Sequence, residues 1–197
     1  MIPGNDETLI LDLIVPPELH IMQGIVKHLY ENMHRKWPVV SKWLTKIGIE
    51  PRKYHGGAFL GNHCHEMLKH IDELRRIAPI EILEYVNVLD IFSKVVHSYF
   101  GMTLKIGYID YIEMFTKAYM ELDISVTLKV HMVMAHIADF CQKYGALGVF
   151  SEQAFESSHS DFKRNTWEKS NFKRSIGHPA YGEYLLRAAV VYNSTHI

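Results

Sequence analysis

Glu152 and Glu156 stand four residues apart, with His159 three further on. On a helix that spacing puts both carboxylates on one face, with an imidazole one turn beyond. Two-metal phosphoryl transfer needs about three converging carboxylates to hold two divalent ions, which activate water or a 3′-hydroxyl and stabilise the leaving oxygen. One helix face does not supply that set, and the same spacing also describes a solvated acidic face. His131 and His136 offer a different chemistry, two neutral imidazoles of the kind zinc takes together with cysteine thiolates. A five-residue step leaves such rings roughly 140° apart on an ideal helix. Joint ligation therefore demands a helix that starts or distorts between them, and the alternative is a pair of core histidines hydrogen-bonded in place. Lys163, Arg164, Lys169, Lys173 and Arg174 surround Trp167 and Phe172 against the single acid Glu168. Cations neutralise phosphates and aromatic rings pack on sugars; a charge run can equally be plain solvated surface.

The densest group of possible ligands, His63-Cys64-His65 with His70, has poor spacing for one ion. Adjacent helical residues point apart, and a pair such as Glu66/His70 is what shares a face. Surface polar residues around one buried cysteine is the expected arrangement. His20 opens a helix and either contacts backbone there or faces the chemistry.

These groups need elements to hold them. Thr8 to Val15 is a β-branched and aliphatic run ending at Pro16-Pro17, so residues 1–16 read as a lead-in with one strand. From Pro17 the period changes to three and four. Leu19, Met22, Val26, Leu29, Tyr30 and Met33 give one helix, bounded by Pro38. Val40, Trp43, Leu44 and Ile47 give a short second one, stopped by Gly48. Tyr54 to Asn62, with three glycines in nine residues, is a turn that enters another helix. Further helices are expected from His63 to about Ala78, Ile80 to Tyr99, Tyr108 to Leu122 and Thr127 to Tyr144, then from about Ser151 toward Trp167 and from Tyr181 to Asn193. The fold class is mainly α.

With 197 residues, 48% hydrophobic and 12% aromatic, the chain can bury one core and is not a disordered tract. The polar, acidic start does not resemble a secretion signal, and charges interrupt every apolar run before membrane-spanning length, so no membrane association is expected. Cys64 and Cys141 form no CxxC pair, which fits a reducing compartment. A net charge of −1 excludes a globally basic nucleic-acid binder but not a local basic patch.

The run Leu128-Lys-Val-His131-Met-Val-Met-Ala-His136, then Gly145-Ala-Leu-Gly148, then Ser151-Glu152-Gln-Ala-Phe-Glu156, resembles the last catalytic segment of the V(D)J recombinase catalytic subunit and its cut-and-paste transposase relatives. That family carries a His-x4-His pair, a Gly-x-x-Gly turn and a final catalytic glutamate some twenty residues past the second histidine; Glu156 lies twenty past His136. Glu152 is the alternative, because one gap separates the Gly turn from Ser151-Glu152. Leu19-His20 with Gly24 resembles the Leu-His-x3-Gly helix start of the family's insertion domain. Gly57-Ala58-Phe59 through Gly61-Asn62 to Met67-Leu68 resembles its Gly-Asn-Phe segment.

The resemblance implies residues 17–125 as a helical insertion-like bundle. It implies 126–197 as helices of a ribonuclease-H-like core. It also implies metal-dependent DNA nicking and strand transfer, with Glu156 on Mg²⁺ or Mn²⁺, and a zinc site of which His131 and His136 are half. DNA is the implied partner, with a homodimer or the upstream part of the transposase as a second one, and the nucleus the implied location, otherwise the cytoplasm. The family's two catalytic aspartates and zinc-binding CxxC have no counterpart in this chain, which is therefore expected to be inactive alone. The competing reading is a transposase-derived helical module that binds DNA or a protein without catalysis.

Overall fold

Pro16 and Pro17 stand in non-helical backbone, and a regular ladder begins at the next residue. A computed structural model of the chain describes residues 15–50 and 59–150. These belong to the first of two compact units, Met1–Ser151 and Glu152–Ile197. Among the described residues the architecture is helical throughout: α1 (Glu18–Lys36), α2 (Val40–Lys46), α3 (Gly61–Lys69), α4 (Ile71–Ile77), α5 (Ile80–Tyr99), α6 (Tyr108–Met120), α7 (Leu128–Ala135) and α8 (Ile137–Tyr144), then a 3-10 turn at Leu147–Phe150. The strand expected over residues 8–15 falls outside the described residues except for Val15, which is not in a strand. The helices expected after Ser151 and the turn from Tyr54 to Ala58 also lie outside them.

Start and stop signals act where they stand. Pro17 precedes α1 and Pro79 precedes α5, each in extended backbone. Proline is favoured at such entries because the first helical amides lack partners in any case. Gly48, at φ 74°, follows α2, and the left-handed backbone there suits a residue without a Cβ. The last turn of α1 carries His34, Arg35 and Lys36 where the helix dipole favours cations.

Leu19, Met22, Val26, Leu29 and Met33 are buried along α1, which packs on α2, α3, α5 and α7. The hub is α5, against α1, α3, α4 and α6. Phe92 lies 5.4 Å from Phe115 and 6.4 Å from Phe100, ring centre to ring centre. One cluster of buried side chains runs from Leu19 through Trp43, Met67, Leu89 and Phe115 to Val133, Ile137 and Leu147. Both ends of the described chain thus draw on the same core.

Two helices expected to be continuous are interrupted. The stretch from His63 to Ala78 divides at His70, which is caught between Glu66 (3.6 Å) and Glu73 (2.9 Å), with Lys46 3.0 Å from Glu73. The division leaves Met67, Leu68, Ile71 and Leu74 all facing the core. The stretch from Thr127 to Tyr144 divides at His136, with consequences for the site.

Candidate zinc-ligand pair and its supports

The connection into α7 is anchored before the helix begins. Tyr119 Oη donates to the Ser125 carbonyl at 2.8 Å, tying the α6–α7 connection to the core. Thr127 then caps α7, its hydroxyl accepting from Val130 N at 3.3 Å. Val130 and Val133 turn inward, as do Ile137 and Cys141 on α8. The two imidazoles are consequently left on the outer side, His131 exposed and His136 half-buried.

At His136 the backbone leaves the helix, with φ −128° and ψ −29°, against about −63° and −42° in a regular turn. This single break offsets the angular separation that a five-residue step would impose. The His131 and His136 rings lie 5.1 Å apart between centres, with their planes at 81°. Zinc bonds imidazole nitrogen at about 2.0–2.1 Å, so two rings on one tetrahedral ion have centres roughly 5 Å apart. That separation is shared by two imidazoles on one ion and by two rings in plain edge-to-face contact, which is the arrangement here. Among the described residues no group of three or more His, Cys, Asp and Glu converges.

The other described histidines and cysteines form no cluster of three or more possible ligands. Cys64 is fully buried, and its burial pushes the thiol up to about 12. A thiol held in that state is not the thiolate a metal requires. Cys141, buried under the same influence, is likewise raised to about 12, with the Leu147 backbone N–H acting in the opposite direction. His63 Nδ1 instead accepts from Leu60 N at 3.4 Å, and His70 belongs to the glutamate pair described above. His20 is exposed on the first turn of α1.

The partner of Gly148, unlike the Gly-x-x-Gly turn itself, had no signal in the sequence. A Cβ on Gly148 would lie 2.5 Å from the Gly101 carbonyl oxygen and 2.9 Å from that of Phe100, and Gly148 N donates to Gly101 O at 3.1 Å. Backbone meets backbone there, so neither side can give. Gly145, at φ 91°, ends α8. The Gly-x-x-Gly turn thus contains two different requirements, left-handed backbone at the first glycine and contact without a side chain at the second.

Glu152, Glu156 and the basic residues Lys163, Arg164, Lys169, Lys173 and Arg174 lie outside the described residues. No helix among the described residues is long and apolar enough to cross a membrane. In comparisons with known proteins, no family model, curated protein or solved structure matches this chain.

Proposed function

We propose that this chain is the carboxy-terminal part of a cut-and-paste DNA transposase of the V(D)J recombinase type. The observation that carries the reading is the break at His136. A regular helix would separate the His-x4-His pair, and the chain departs from regularity at the second histidine, leaving the rings 5.1 Å apart. In the intact protein His131 and His136 hold zinc with a cysteine pair from elsewhere, a structural link that fixes the helical region to the catalytic core. Glu156, or Glu152 in its place, supplies one carboxylate to the Mg²⁺ or Mn²⁺ centre. Lys163, Arg164, Lys169, Lys173 and Arg174 contact DNA phosphates.

Titration of the purified chain with Zn²⁺ or Co²⁺ tests this. Two imidazoles alone bind weakly, and replacing either histidine by alanine is expected to cost at least about tenfold in affinity, about 1.4 kcal/mol. Histidine variants that bind as tightly as the wild type would remove the main support. With Mg²⁺ or Mn²⁺ the chain alone is expected to leave supercoiled plasmid intact, because the remaining carboxylates are absent. Cleavage that disappears in Glu156→Gln would contradict the incompleteness while supporting the residue.

A further inference from the structure

Gly24 sits one turn after His20 and one turn before His28 on α1, so the three share a face, and α7 packs across it. A Cβ on Gly24 would lie 2.7 Å from Lys129 Nζ and 2.8 Å from Cε. The lysine stem, leaving the first turn of α7, is therefore laid flat over the glycine, where any other residue would displace it. Lys129 is exposed and has no ion-pair or hydrogen-bond partner among the described residues. Glu31, the acid further along α1, lies 3.6 Å from Lys27.

A mobile lysine loses rotamer entropy when it is ordered. Here packing over Gly24 has already restricted the stem while leaving the charge without a counter-ion among the described residues. An ammonium group held in this way is preorganised for an anion, and phosphate is the anion that lysine meets as a point charge. Gly24 is the bed on which a cation from another helix lies, one turn along α1 from the exposed His20.

We propose that Lys129, held across Gly24, contacts a backbone phosphate of DNA, a contact separate from the basic run at 163–174. The proposal rests on the DNA-processing reading above. Its test measures binding of the full chain to a mixed-sequence duplex over a range of salt concentrations. Lys129→Met keeps the apolar stem and removes the charge. It is expected to reduce the log-log salt slope by about 0.9, the loss of one phosphate contact, with thermal melting unchanged. Lys129→Arg is expected to retain the slope. Gly24→Ala, which keeps the charge but displaces the stem, is expected to weaken binding at fixed salt.

A wild-type chain that binds duplex while Lys129→Met has the same slope overturns this assignment alone and leaves the stem as packing. Absence of any duplex binding at low salt overturns it together with the DNA reading. Saturable binding of inorganic phosphate that is lost in Lys129→Met, with the duplex slope unchanged, assigns a free-phosphate site and overturns the DNA contact.

Discussion

α5 and the α7–α8 pair are nearly equal in length, yet one is unbroken and the other yields at its middle. In α5, Ile82, Tyr85, Val86, Val88, Leu89, Ile91, Phe92, Val95, Val96, Ser98 and Tyr99 are all buried, and four helices pack on it. A lapse in its ladder would leave amides and carbonyls without water to pair with. In α7–α8 the buried set is Val130, Val133, Ile137 and Cys141, a narrow inner stripe with solvent on the other side. Water can satisfy a backbone group freed there. The chain can thus afford an irregular residue at this edge, and the irregularity falls on His136, where it brings two imidazoles together.

The largest expected effect sharpens that contrast. Phe92→Ala in α5 should lower stability by about 3–5 kcal/mol, read as a shift in the urea midpoint, whereas Val133→Ala in α7 should cost markedly less. Equal losses would mean that α7 is as much a part of the hub as α5.

Next in size is Gly148→Ala, for which roughly 1–3 kcal/mol is expected, because the added methyl meets the Gly101 backbone and not a side chain that can rotate. Gly24→Ala, which meets the Lys129 side chain and no backbone, should cost less on the same denaturation curves. The reverse order would remove the close contact between the 3-10 turn and the end of α5 from the account.

Thr127→Ala removes the α7 cap and should cost about 1 kcal/mol. If α7 is an independent edge element, hydrogen exchange should speed up in residues 128–135 and stay unchanged in α5. Loss of protection in both would break the comparison.

The smallest effect is a pH dependence. Burial of His28 lowers its affinity for a proton below the ordinary value of 6.5; the neighbouring Ser125 backbone and Glu31 act in the opposite direction, and Arg35 acts with burial. The unfolded chain therefore binds this proton more readily than the folded one. The contribution is fully present above pH 6.5 and is lost as pH falls through the folded value. His28→Gln should flatten the acid side of the stability profile, as measured by urea unfolding at several pH values. An unchanged profile would assign the acid sensitivity elsewhere.

Among the described residues the apolar periods and breakers in the sequence located the helices within a few residues, apart from the divisions at His70 and His136. Ile80–Tyr99 emerged as read because one uninterrupted apolar period, a proline before it and a glycine after it all state the same limits. The buried state of Cys64 was legible from residue type in the same way. The interruptions at His70 and His136 were not, since neither residue is a breaker and the outward ladder yields only where packing and ion pairs favour it. His131 and His136 could be named as a pair from spacing, together with the condition that the helix distort between them. Whether it does is a matter of φ and ψ at one residue, fixed by which neighbours α7 and α8 must face. The contacts of Gly148 with Gly101 and of Gly24 with Lys129 join residues far apart in the chain. A glycine in the sequence states that a side chain is absent, and only the tertiary structure decides what occupies the space it leaves.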